Sequence, residues 1–374
     1  MKRQVLHPIP WLVAGALLAA ALGPAPAEAQ RQVSDRIYLK GRGEPLPAVE
    51  ITAESIDGIE TRGPDLAATQ VERIEYADAP FAFKEAHRMR QLGRYDEAIV
   101  LYKSALRAPE GTVRRFWLEP NCRYYIALCH LEAGELDEAE AAFKELLGKH
   151  PKTRFLPDAL LAQGRVQYDK KNYDEAVRRF DDLARRADAE KWAEWKYRAY
   201  LWKGRALLAA DQHAQALDAV AKIVGQPEAQ KYEDVYTQAR TVEARVYQLK
   251  GEFDRAIRLV SRLIDDIAPA VAREVQSGTE SAMQRTEAQC KNTLGYCYMA
   301  KAEKAADEAA KKKFLKDARL AFLWTVVLYP NLTDERIEAL KNAAECFEKL
   351  GDRRRASELR NELEELQRSL GPQG

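Results

Sequence analysis

Gly93-Arg94-Tyr95-Asp96-Glu97-Ala98 returns along the chain in altered form. The copies are Gly134-Glu135-Leu136-Asp137-Glu138-Ala139, Asn172-Tyr173-Asp174-Glu175-Ala176, Gln212-His213-Ala214-Gln215-Ala216, Gly251-Glu252-Phe253-Asp254-Arg255-Ala256 and Gly351-Asp352-Arg353-Arg354-Arg355-Ala356, with a weaker one at Leu315-Lys316-Asp317-Ala318. The closing alanines are 41, 37, 40, 40, 62 and 38 residues apart. Apolar residues between the phrases follow a helical period. Self-similarity at this spacing is the mark of a helical solenoid, in which each unit buries its apolar face only against its neighbours.

A second set of small residues accompanies the alanines: Ala86, Ala127, Gly164, Gly204, Ala244, Gly295 and Ala344. Six of them lie 12 residues before their alanine, and Gly295 lies 23 before. Four residues beyond the alanines stand Tyr102, Phe143, Phe180, Val220, Val260, Phe322 and Arg360, on the same helix face as the alanine. This arrangement resembles the tetratricopeptide repeat, in which two antiparallel helices approach closely through small residues. Pro151 and Pro330 fall where that family often ends a unit. The resemblance covers about Pro80 to Leu370. It implies a mainly α protein, a helical-hairpin solenoid of about seven units over 80–370, with a tail at 371–374.

The units depart from the usual pattern. The 62-residue interval holds an Ala/Lys/Glu-rich insert around Glu303–Lys313, expected to lengthen both helices of one unit. Residues 268–287, with Pro269 and Ser277-Gly278-Thr279, read as a long connection. The last helix, from Arg353, is charged nearly all round, as a solenoid's terminal cap requires.

Upstream, residues 30–79 alternate as strands: Arg36–Lys40, Ala48–Ala53, Ile59–Thr61 after the Asp57-Gly58 turn signal, and Val71–Tyr76. Three or four strands make a small β module, loosely similar to Sm-like or SH3-like barrels. It holds too few large apolar side chains to stand alone and is expected to pack on the helices that follow. Further upstream, Lys2 and Arg3 precede the apolar run Trp11–Leu22, Gly23 and Pro24 break it, and Ala27-Glu28-Ala29 has the small-x-small form of a cleavage site. Residues 1–29 read as a secretory signal peptide. The alternative is an uncleaved anchor, which the shortness of the run disfavours. The expected location is the periplasm or cell envelope of a bacterium, with no transmembrane span after cleavage.

The composition, 46% hydrophobic and 31% charged, is that of a folded protein. With 59 Lys and Arg against 58 Asp and Glu, a generally basic nucleic-acid binder is disfavoured. The five cysteines, at 122, 129, 290, 297 and 346, include two i, i+7 pairs, too far apart on one helix to bridge, and read as small buried apolar residues. No zinc-spaced histidines, phosphate loop, nucleophile elbow or dinucleotide turn occurs. The expectation is a non-enzyme without cofactor or metal.

The resemblance also implies a binding face. In the family, the residue after the small one on the first helix points into a concave groove. That row here is His87, Leu128, Arg165, Arg205, Arg245, Tyr296 and Glu345. Flanking rows supply Tyr124, Leu161 and Leu201 on one side and Tyr168 and Leu208 on the other. The candidate groove residues are therefore Arg165, Arg205, Arg245, Tyr124, Leu161, Tyr168, Leu201, Leu208 and Tyr296. Three arginines in register suit an extended or helical peptide carrying carboxylates. Equally, each arginine could pair with an acid of an adjacent helix. Trp192 and Trp195 are a further candidate surface, one of them expected to be exposed. The function these features imply is a protein–protein interaction scaffold of the cell envelope, binding a protein or peptide. The alternative is an envelope enzyme acting on polysaccharide with the solenoid as platform.

Overall fold

A computed structural model describes residues 34–369 apart from 48, 110 and 278–281. The segment read as a signal peptide and the tail lie outside the described residues. Fourteen α-helices are described, paired as seven antiparallel hairpins. They are α1 Phe81–Gln91 with α2 Tyr95–Ala105, α3 Arg115–Glu132 with α4 Leu136–Lys149, α5 Leu156–Asp169 with α6 Tyr173–Ala189, and α7 Ala193–Ala209 with α8 His213–Val224. Then come α9 Glu233–Leu249 with α10 Phe253–Ser277, α11 Ala282–Lys304 with α12 Glu308–Leu328, and α13 Thr333–Lys349 with α14 Arg353–Ser369.

The recurring phrase is the turn inside each hairpin. Gly134 takes a left-handed φ of 80° just past α3, its N–H donates to the Leu131 carbonyl, and the next N–H, of Glu135, reaches back to His130. These two bonds satisfy carbonyls that a helix end leaves open. Six hairpins share this geometry. Lys171 and Asp211 adopt it at φ 62° and 57° without glycine, which is why those two copies of the phrase look degenerate. The long sixth hairpin turns differently: the Asp307 carboxylate caps α12, accepting from the Ala309 and Ala310 N–H groups at 2.7 and 3.0 Å.

The small residues mark close helix approach. A Cβ on Gly164 would lie 2.3 Å from Phe180 Cε1, and one on Gly295 would lie 2.4 Å from Phe322 Cζ. The closing alanines of all seven copies are buried. The insert lengthens α11 and α12, as the sequence reading expects. The reading of 268–287 as a connection is corrected by α10, which runs through Pro269 to Ser277. Its stripe of Leu259, Leu263, Ile267 and Val271 continues past the proline into the α9/α11 core. Pro269 and Asp265 are exposed, so the carbonyl that loses its helical partner can bond water. In α14 only Ala356 is fully buried, and Leu359, Leu363 and Leu366 rest on α13.

The β module is two short antiparallel ladders, not a barrel. β1 (Arg36–Leu39) pairs with β4 (Val71–Glu75), and β2 (Ile51–Glu54) pairs with β3 (Ile59–Thr61). A bridge from Asp35 to Val49 links them. Ile37, Ile51 and Ile59 share one core with Phe83, Ala86, Trp117 and Leu118 of α1 and α3. Tyr76 stacks on Trp117 with centroids 3.9 Å apart. The β2–β3 turn reaches further along the array. The Ile56 N–H donates to Lys152 O at 2.9 Å, and its side chain packs with Leu156, Trp192 and Trp195. Lys40 Nζ donates to Glu194 at 2.5 Å and lies 4.6 Å above the Trp195 ring. The module thus lies across the N-terminal ends of α3, α5 and α7 and holds three consecutive units together. This corrects the expectation that one of the two tryptophans is exposed: both are about 7% exposed, beneath the module.

All five cysteines are buried and free. Burial pushes each thiol up to about 12. They behave as small apolar side chains.

Candidate concave binding face

The first helices of the hairpins, α3, α5, α7, α9, α11 and α13, pack side by side and form the inner wall of the array. Their register decides which side chains meet there. Arg165 comes from α5 and Arg205 from α7, one unit apart. Both lie against Trp202, with the guanidinium carbons 5.0 and 4.7 Å from the ring centroid. Trp202 is one helical turn before Arg205, at i−3. Tyr168 meets the same indole edge-on at 5.6 Å, and Phe180 supports it from beneath at 6.2 Å.

The two arginines have no carboxylate within ion-pair distance among the described residues. Arg205 Nη2 donates to neutral Gln238 Oε1 at 2.8 Å. Arg165 Nε is buried without a hydrogen-bond partner. Burial, together with the like charges of Arg165 and Arg285, brings the Arg205 guanidinium down to about 10, against the opposing influence of Tyr168 and Glu335. Arg285 pairs with Glu335 at 3.5 Å, and Gln289 Nε2 donates to the same carboxylate at 2.9 Å. Side chains from α5, α7, α11 and α13 therefore act on one place, with three guanidiniums against the Glu335 carboxylate and, beside Arg165, that of Asp169.

Arg245 is different. It lies 4.6 Å from the Tyr296 ring centroid and pairs with Glu338 at 3.6 Å. Here an acid does match the arginine, but it comes from two units further on rather than from an adjacent helix. The Tyr296 hydroxyl accepts from Asn342 at 2.9 Å, and burial with nearby Glu338 raises it to about 12. Leu161 and Leu201 are buried in interhelical cores, so they support the face without lining it. Leu208 is partly buried against Val177 and Leu217. Tyr124 stacks on Phe155 at 4.1 Å, away from the arginines, in an aromatic cluster with Tyr125, Phe83 and His87. The rows taken from the resemblance contained neither Trp202, Gln238, Arg285 nor Glu335. Only Trp202 had a local signal, its helical spacing from Arg205.

His87 closes this first end of the face. Its Nδ1 lies 2.8 Å from the Tyr102 hydroxyl and 3.2 Å from the Phe83 carbonyl. Burial, with Arg90 nearby, lowers its pKa to about 4, so it stays neutral in the folded chain where an unfolded histidine would protonate. Between pH 6.5 and 4 the unfolded state binds the extra proton, and stability falls as pH falls. The full loss is up to about 3 kcal/mol. Urea titrations across this window should show that loss in the native chain and a flatter profile in His87→Gln. Equal slopes in the two would remove His87 as the cause.

Among the described residues no cluster of His, Cys, Asp and Glu could hold a metal ion, and no helix is long and apolar enough to cross a membrane. Two family models, both described as tetratricopeptide repeat, match residues 89–164 and 158–188. No curated protein matches the sequence. Among solved structures, the chain is similar to aspartyl phosphate phosphatase F from Bacillus subtilis, with TM-score 0.51 and 17% identity over 78% of this chain and 70% of that one. It is also similar to a signal-transduction ATPase with numerous domains and a tetratricopeptide-repeat sensor from Pyrococcus horikoshii. There the TM-score is 0.52 at 14% identity, over 76% of this chain and 41% of that one. At such identities the likeness is one of fold. The two family-model matches identify residues 89–188 as tetratricopeptide repeats, and the same helical hairpin recurs through α14.

Proposed function

We propose that this protein is a protein–protein interaction scaffold of the bacterial cell envelope that binds a segment of a partner protein along its concave face. The mode is equilibrium binding, with no chemical step. The observation that carries the reading is the pair Arg165 and Arg205, whose charges converge on one aromatic side chain and are matched by no carboxylate of the described chain. Burying a guanidinium without an anion is unfavourable unless something later supplies one. Export rests on the pattern of residues 1–29. Tyr168 and Tyr296 would add aromatic contacts, and Arg245 would widen the basic wall once released from Glu338.

In-cell crosslinking followed by mass spectrometry tests this. The wild type is compared with Arg165→Glu/Arg205→Glu/Arg245→Glu after circular dichroism has shown that both fold. One envelope protein captured by the wild type and lost in the variant is the expected result. Unchanged capture, or no specific capture, would overturn the groove. Fractionation with N-terminal sequencing checks export, with Gln30 expected as the first residue.

A further inference from the structure

Resting on that reading, we propose that Arg165 and Arg205, both held against the Trp202 indole, form a subsite for one side-chain carboxylate of an acidic partner segment. A cation–π contact with the indole uses none of a guanidinium's N–H donors, so they stay available to a carboxylate. Arg205 spends one donor on Gln238, and the Nε of Arg165 is buried with none of its bonding capacity used. On the first helices elsewhere arginines are already matched: Arg90 of α1 with Glu132 at 3.1 Å, Arg198 with Glu194 and Asp234 at 2.9 and 3.1 Å, and Arg245 with Glu338 at 3.6 Å. The uncompensated charge is therefore local to the third and fourth units, the same units the β module holds in fixed relation through Ile56 and Lys40.

The surroundings favour a single negative charge. Asp169 acts on Arg165, and Glu335 acts on Arg205. Against the three guanidiniums of Arg165, Arg205 and Arg285 these two acids leave one positive charge, which one carboxylate neutralises and a doubly charged phosphate would overshoot at a higher desolvation cost. The occupant is accordingly an Asp or Glu side chain, and a phosphorylated residue is the disfavoured outcome of the test.

An octapeptide display library selected on the folded chain, followed by anisotropy titration of the enriched peptide, tests the subsite. Glu or Asp should be enriched at one position over Gln and Asn. The enriched peptide should bind at least tenfold more weakly to Arg165→Gln/Arg205→Gln, and its Glu→Gln version should lose as much on the wild type. The control Arg178→Gln/Arg185→Gln removes two exposed arginines of α6, each paired within its own helix, and should bind within twofold. Enrichment without an acidic residue, unchanged affinity in the double variant, or tighter binding of a phosphoserine version would overturn the subsite while leaving the groove. Enrichment of no peptide at all would overturn both.

Discussion

Arg114→Met is expected to destabilise the chain by about 3–5 kcal/mol, the range for removing one partner of a buried ion pair. Arg114 precedes α3 and is the junction between the β module and the helices. Its Nη2 reaches Asp35 Oδ1 at 2.6 Å and Asp78 Oδ1 at 2.8 Å, and its Nη1 donates to the Ile51 carbonyl at 2.8 Å. The Asp35 side chain is fully buried. Methionine fills much the same volume but leaves two carboxylates and a strand carbonyl without their cation. Asp35 retains the N–H groups of Ile51 and Ala77, each at 3.0 Å, which keeps the loss from being larger. Urea unfolding would give the magnitude. Limited proteolysis would show where the damage falls: new cleavage within 34–79 is expected, with α5–α14 still protected. A loss below about 1 kcal/mol would mean that water replaces the guanidinium without cost, and the junction would not be what secures the module.

The second large effect is expected from Phe180→Ala, again about 3–5 kcal/mol, the range for truncating a buried aromatic ring. Phe180 is fully buried on α6, under Gly164 and among Leu161, Leu183, Ala199 and Ala206. The helices are already in contact through Gly164, so they have little freedom to collapse into the space the ring leaves. Phe180 also supports Trp202, on which the two unmatched arginines stack. The same variant should therefore weaken partner capture even where it remains folded. Phe180→Leu keeps most of the volume and should cost less than half as much in urea unfolding. Equal losses for the two would place the cost in something other than the cavity.

The repeat was legible because it is periodic. Seven alanines and seven small residues recur, at nearly constant spacing in all but the long sixth unit, and their burial needs only local helix geometry. The cysteines were legible for a related reason, since a helix cannot bring i and i+7 thiols together. Local signals misled where packing overrode them. Pro269 reads as a break, yet the apolar stripe on either side of it has enough partners to carry α10 through. Trp192 and Trp195 sit among charges in sequence and read as surface, yet a loop more than 130 residues upstream covers them.

The three arginines separate the two kinds of information most clearly. Chain periodicity put Arg165, Arg205 and Arg245 on one face of successive units, because each stands one residue after the small residue of its helix. It could not distinguish among them. Arg245 is neutralised by Glu338, which lies 93 positions away, and Arg205 feels Arg285 and Glu335 from units two and three places further on. Those distances in sequence are spanned by the curvature of the stacked hairpins, which follows from packing between units and is written in no single repeat. A helix's inward face is a local property of its residues. Which charges on that face remain unmatched is a property of how the faces are brought together.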